Sequence, residues 1–410
     1  MSSDPGADER RARRAELRRR QVRRRRGSGA VLLLALGGIG IWAAGTLASG
    51  GDGSRAATTF TDSTGSLTTT MTTGQSTAPA ATTVAASSTT PDLSGRRVTI
   101  AWVGDMVLAS SYGTPPDAGR FSMARVVAPL RSADVTFGNL EETLSQLPES
   151  KCGGSPNCFA FQAPPSYAKL MTSAGFDVMN VANNHADDFG PAGQRSTERA
   201  LRAAGLRWTG RPGQITIVRR RGLRIAFLGF APYRWAARLE RVRVAQALVR
   251  RAAARADLVV VAMHAGAEGW GATHVPHGTE TFLGENRGDS RRFAHAVVVA
   301  GADLVVGSGP HVIRGLERYH GRLIAYSLGN FVGYKNFGTG GTLALSAILS
   351  VQLRGDGAFA GGRWTSLRLD RDALPHPDPS QASARLVAQL SRDDFGAAAA
   401  RIALDGKIEL

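Results

Sequence analysis

Short β-branched apolar runs recur along this chain, at 98–103, 135–137, 178–181, 225–230, 258–263, 304–306 and 323–326. Between them lie stretches with helical spacing of apolar residues, at 124–130, 167–174, 196–203, 244–256 and 292–300. Strand–helix alternation of this kind predicts an α/β fold with a largely parallel sheet. In such sheets the chemistry sits at the carboxyl ends of the strands, so the residues after each run carry the information. The first run is followed by Gly104-Asp105 and the second by Gly138-Asn139-Leu140-Glu141. The third leads into Ala182-Asn183-Asn184-His185-Ala186-Asp187, and the fifth into His264 with Glu268 four residues on. Gly307-Ser308-Gly309-Pro310-His311 and Ser327-Leu328-Gly329-Asn330-Phe331 follow the last two. One polar residue at a strand end is as often structural as functional. A set of oxygen and imidazole donors converging on one rim is different. It suits Zn, Mn or Fe, and two such ions can clamp both oxygens of a phosphoryl displacement.

The chain ahead of the first run has another character. Residues 1–26 hold eleven arginines against four acidic residues, a large part of the overall +17 from 50 basic and 33 acidic side chains. Residues 30–48 (AVLLLALGGIGIWAAGTLA) then carry no charge. A helix of that length rises about 28 Å, close to the hydrocarbon thickness of a bilayer. The arginine flank predicts a cytoplasmic tail over 1–29, a single transmembrane anchor over 30–48, and a folded part outside the cytoplasm. A cleaved signal peptide is the competing reading, since small residues follow the apolar run; its length and the absence of an A-x-A site favour the anchor. Between 57 and 90, 19 of 34 residues are Ser or Thr, too few apolar groups to offset the entropy of ordering. The linker is therefore set at 49–96, a folded domain at 97–368 and a C-terminal helical extension at 369–410.

Cys152 and Cys158 bracket a loop of Gly, Ser, Pro and Asn. In an oxidising compartment such a pair predicts a disulfide, with two free thiols as the alternative. A nucleic-acid role fits poorly, because the basic residues beyond the tail are scattered and not interleaved with aromatics. No P-loop and no Gly-x-Ser-x-Gly elbow occurs.

Taken in order, Gly-Asp, Asn-Leu-Glu, VANNHADDFG, His-x-Gly-x-Glu, Gly-x-x-Pro-His-Val and LIAYSLGNFV resemble the capsule-synthesis protein CapA family, over roughly 97–332. That family is associated with poly-γ-glutamate biosynthesis or export and is related in fold to the calcineurin-like metallophosphoesterases. The resemblance implies a metallophosphoesterase-like α/β/β/α sandwich holding one or two divalent ions, Mn, Zn or Fe. It implies metal ligands at Asp105, at Asn139 or Glu141 where the superfamily has a bridging Asp, and at Asn184, His264 and His311. It implies that His185 contacts the phosphate or protonates the leaving group. The chain departs from the pattern at Met106 and Val107, where a histidine is usual, and at Ser308 and Gly309, where relatives have one or two. That ligand count leaves open one ion with a free position, two ions completed by water, or none. His274, His277 and Glu280 are expected in a polar loop at the mouth of the site, and could substitute as ligands. Glu285, Arg287 and Asp289 are expected either to bind an anionic substrate or to form a loop salt-bridge network.

Three functions follow. The first is a membrane-anchored CapA-like protein acting on an anionic cell-surface polymer, working with a membrane polymer-synthase complex. The second is an extracytoplasmic metal-dependent phosphoesterase, and the third a catalytically inactive binding module of the same fold.

Overall fold

The computed structural model describes residues 93–410 except 110–112, 121, 156 and 157. The expected tail at 1–29, anchor at 30–48 and most of the linker lie outside the described residues. Among the described residues no helix is long and apolar enough to cross a membrane. Leu93 lies against the core, and the Arg96 guanidinium donates to the Gly222 carbonyl at 2.7 Å, so the end of the expected linker is packed on the domain.

Each predicted run forms a strand. They are β1 (Arg97–Val107), β2 (Val135–Leu140), β3 (Val178–Asn180), β4 (Leu223–Phe230), β5 (Leu258–His264) and β6 (Leu304–Ser308), with Arg322–Ala325 as the seventh. The predicted helical stretches fall on Val127–Arg131, α1 (Ala168–Ala174), α2 (Gly190–Ala203), α3 (Val242–Ala253) and α4 (Ser290–Val299).

Among the described residues the strands form two large mixed sheets, with two two-stranded pairs beside them, and only part of each large sheet is parallel. In the first, β1, β2, β3 and Arg207–Thr209 run parallel. Beyond β7 (Asn330–Gly333), two long strands, β8 (Leu345–Arg354) and β9 (Phe359–Leu369), add antiparallel to the other side of β1. In the second, β4, β5, β6 and Arg322–Ala325 are parallel and the two edge strands antiparallel. The alternation within strands explains the layering. In β1, Val98, Ile100 and Trp102 face one cluster with Phe227, Val260 and Val306 of the second sheet, while Ala101 and Val103 face helical residues such as Leu130 and Met171. Likewise β5 sends Leu258, Val260 and Ala262 to the intersheet cluster and Val259, Val261 and Met263 toward Leu248 and Val297 of α3 and α4. The layers are therefore helices, sheet, sheet, helices.

Trp102 ties the two sheets together. Its ring packs edge-on against Phe137, which in turn meets Phe227 across the interface. Its Nε1–H donates to the Gly307 carbonyl at 3.1 Å.

Residues 369–410, expected as a helical extension, hold one long helix, α5 (Ala382–Phe395), and three short strands. The strands Arg401–Ile402 and Lys407–Glu409 form a hairpin on the edge of the first sheet, with Ile408 buried. The reason is visible in LDGKI: an Asp-Gly turn between alternating apolar residues is a hairpin signal. Cys152 and Cys158 are joined in a disulfide.

Candidate metal centre

Asp105 sits where β1 loses its regular pairing. The register with β2 breaks between Trp102 and Asp105, and that with β7 shifts between Asp105 and Met106. Irregularities of this kind re-aim a side chain. The approach is close enough to require Gly104: a Cβ there would lie 1.8 Å from the Gly329 carbonyl oxygen. Asp105 is fully buried. Its Oδ1 accepts from Asn139 Nδ2 at 2.8 Å, and its Oδ2 accepts from the Gly309 amide at 3.1 Å. His311 Nδ1 lies 3.2 Å from the same Oδ2.

Glu141 follows β2 and is also fully buried, yet neither carboxylate oxygen has a hydrogen-bond partner. Its Oε1 lies 3.6 Å from His264 Nε2 and 3.7 Å from His311 Nε2. His264 ends β5, with Nδ1 3.1 Å from Ser308 Oγ, 3.3 Å from Asn139 Nδ2 and 3.7 Å from Asp105 Oδ1. One donor atom from each of Asp105, Glu141 and His264 lies within 4.8 Å of the others.

Burial and mutual charge set the protonation states. Burial alone would raise Asp105, but His311, His264 and the Gly309 amide outweigh it and hold the carboxyl at about 2. Glu141 is pushed well above the carboxylate range by burial and by neighbouring Asp105. Burial drives His264 well below the usual imidazole range. Burial acts in the same direction on His311, where Glu141, Asp105 and Glu268 overcome it and raise the group to about 10. A buried carboxylate with no donor is the group a cation would compensate. Two carboxylates and a neutral imidazole form a mixed oxygen and nitrogen set of the kind that takes Zn, Mn or Fe. The residues present therefore fit a divalent ion.

Asn139 connects this group to its surroundings. With Nδ2 aimed at Asp105 and His264, its Oδ1 accepts from Asn180 Nδ2 at 2.8 Å and from Asn183 Nδ2 at 3.3 Å. Arg287, buried at 1% exposure, closes the opposite side. It donates to the carbonyls of Gly266 and Gly309, meets Glu268 at 2.7 Å and lies 3.4 Å from His264 Nε2. Its Nη1 also donates to the Tyr233 hydroxyl at 3.0 Å, which donates onward to Glu285.

Asn184 and His185 lie on the loop after β3, linked to the centre through Asn183. Asn184 Oδ1 is buried without a partner, and its backbone carbonyl faces Lys151 Nζ at 3.4 Å. His185 Nδ1 lies 2.8 Å from Asp188 Oδ2, whose other oxygen meets Lys151 Nζ at 2.7 Å. Phe161 packs on the imidazole at 4.2 Å between centroids. Burial lowers the His185 pKa, and Asp188 offsets that in part.

The structure thus gathers Asp105, Asn139, Glu141, His264 and His311, and places Asn184 and His185 on the adjoining loop. Of the GENRGD residues, only Arg287 reaches the centre; Glu285 accepts from Tyr233, and Asp289 caps α4 through the Arg292 amide. His274 pairs with Asp394, His277 with Arg291 and Glu280 with buried Arg314, so none of the three joins the ligand group. Sequence reasoning missed Asn180, Lys151 and Asp188. Only Asp188 had a local signal, its position three residues after His185.

Comparison with known proteins gives a consistent answer. The family described as "Bacterial capsule synthesis protein PGA_cap" matches residues 99–335. The PGA biosynthesis protein CapA of Bacillus subtilis (strain 168) is 28% identical over 319 residues, 72% of this chain and 78% of that protein. The capsule biosynthesis protein CapA of Bacillus anthracis is 29% identical over 292 residues, 64% of this chain and 65% of that protein. A probable polyglutamine synthesis accessory protein of Mycobacterium tuberculosis (strain CDC 1551 / Oshkosh) is 30% identical over 230 residues, 49% and 56% of the two chains.

Proposed function

Because this chain belongs to the bacterial capsule synthesis protein family PGA_cap, we propose that it is an accessory protein in the synthesis or export of an anionic cell-surface polymer of the poly-γ-glutamate type. In this reading residues 30–48 anchor it in the membrane, and the folded part stands outside the cytoplasm beside a membrane polymer-synthase complex. The disulfide supports the placement, because such bridges persist in oxidising compartments. The two-sheet sandwich with donors at its strand ends supports the metallophosphoesterase-like arrangement that the sequence resemblance implies.

The observation that carries the functional reading is the buried group of Asp105, Glu141 and His264, with Glu141 lacking any hydrogen-bond donor. These three residues would hold a divalent ion, with His311 beside them. An ion bound there supplies positive charge against the oxyanion of a carboxylate or phosphate. Arg287 adds a fixed cation on the far side and keeps Glu268 oriented. His185 donates its Nδ1–H to Asp188, which leaves its Nε2 lone pair free to accept a proton.

That last arrangement favours a second reading, a metal-dependent phosphoesterase. The two separate experimentally. Purified full-length protein is expected to bind poly-γ-glutamate at low salt and to retain Mn, Zn or Fe through gel filtration. Failure to bind the polymer removes the first reading. If phosphodiesters are hydrolysed, His185→Ala must abolish turnover while leaving the melting temperature in place. Retained turnover would remove His185 from the second reading.

A further inference from the structure

A cleft of about 500 Å³ opens between the loop that follows β4 and the start of α3. Its apolar lining includes Phe230 and Leu248, both buried, and the exposed Val244, and it is also lined by Arg234, Arg238, Arg241 and Arg251. Arg238 is engaged by Glu240. Among the described residues no carboxylate pairs with Arg234, Arg241 or Arg251. Three unpaired guanidinium groups beside apolar side chains make a surface looking for anions.

The helix makes the imbalance sharper. The N-terminus of α3 has no acidic residue in its first turn, and its cap position is Arg241, whose side chain caps nothing. A helix N-terminus carries partial positive charge and unsatisfied amides, so anions there stabilise and cations destabilise. Arg241 and Arg243 stand at the wrong end of the dipole. An anion seated in the cleft would relieve both the helix end and the arginines.

The cleft also adjoins the metal centre along the chain. Arg234 lies between Tyr233 and Trp235, which stack on each other. Tyr233 accepts from Arg287 at 3.0 Å, and Trp235 Nε1 donates to the Asn183 carbonyl at 2.8 Å. One loop therefore bounds the centre on one side and the cleft on the other.

We propose that this cleft is a binding subsite for a carboxylate-bearing chain with aliphatic spacers, leading toward the metal centre. The inference rests on the polymer reading above and adds a location to it. A γ-linked glutamate chain offers one free carboxylate per unit for the arginines, and two methylenes per unit for the apolar side chains Phe230, Val244 and Leu248. A polyphosphate of equal charge offers nothing to those side chains.

The test is titration calorimetry of the full-length protein with a synthetic γ-linked glutamate decamer at low salt. The variant R234Q/R241Q/R251Q is compared with R195Q/R199Q/R207Q, which removes the same charge from exposed positions on and after α2. The cleft variant is expected to bind roughly tenfold more weakly, the product of three screened pairs each worth a factor of about two. The control variant should change affinity less than about twofold. Equal losses in both variants, or none in the cleft variant while wild type binds, would overturn the subsite and leave the polymer reading standing. Absence of wild-type binding would remove both. Wild-type affinity for a polyphosphate of equal charge that matches its affinity for the decamer would overturn the role given to the apolar side chains. A metal-induced rise in melting temperature equal to that of wild type shows that the variants are folded.

Discussion

Replacing Glu141 with Gln should stabilise the metal-free protein, the reverse of the usual effect of removing a buried charged residue. Glu141 makes no hydrogen bond that the substitution would lose, since both its oxygens are buried and unpartnered. Its carboxyl is raised well above its ordinary value of 4.5, first by burial and then by Asp105. A carboxyl whose folded pKa exceeds the unfolded one contributes most to stability below the unfolded value, and that contribution drains away as pH rises. Each pH unit above 4.5 costs about 1.4 kcal/mol while the folded group keeps its proton. At pH 7 the ceiling is about 3 kcal/mol, and Gln carries none of it. For a domain of this size that ceiling corresponds to a rise of at most roughly 5 °C in melting temperature. Calorimetry in chelator from pH 4.5 to 7.5 should show the two proteins equal at the acid end and diverging above it. Adding Mn²⁺ at about a hundred times its dissociation constant should then stabilise wild type by about 2.7 kcal/mol and E141Q by much less. The reasoning fails if E141Q is the less stable protein in chelator at pH 7, or if the ion raises both melting temperatures equally.

Asp303 allows a pH test away from the centre. Burial raises it from 3.8 to about 6, with Arg322 and the Val259 amide pulling the other way, so its contribution is complete below pH 3.8 and is lost as pH climbs through 6, a change of about 3 kcal/mol. Asp303→Asn keeps an acceptor for the Val259 amide and should flatten the stability profile between pH 4 and 6; parallel profiles would contradict this. Trp102→Ala should cost about 3–5 kcal/mol in denaturant unfolding, and Trp102→Phe about 1–3 kcal/mol, because the buried Gly307 carbonyl loses its donor. A Phe variant as stable as wild type would show that the intersheet hydrogen bond contributes nothing.

The parallel half of each sheet was legible because buried parallel strands are continuous apolar runs, and each ended in small and polar residues. The antiparallel half was not. Leu345–Arg354 mixes Ser346, Ser350 and Gln352 into its pattern, and Phe359–Leu369 carries Gly361 and Gly362 near its start, so neither stands out by composition. The donors Asp105, Glu141 and His264 were visible as residue types at strand ends. That Glu141 is stranded without a donor is a property of packing that no local pattern encodes. The same holds for Lys151, which reaches Asp188 from a loop far earlier in the chain.

The donors of the candidate centre come from both sheets, and this has a consequence for the order of assembly. Asn139 and His264, which face each other across it, are 125 residues apart, and Gly309 reaches Asp105 across 204. A chain still emerging from the ribosome has the two acidic donors long before it has the imidazole. It then holds only an acidic fragment, with none of the burial that sets the final protonation states. An ion held by these three residues would therefore bind late, after the two sheets have docked, and its content would then serve as a tally of correctly finished molecules.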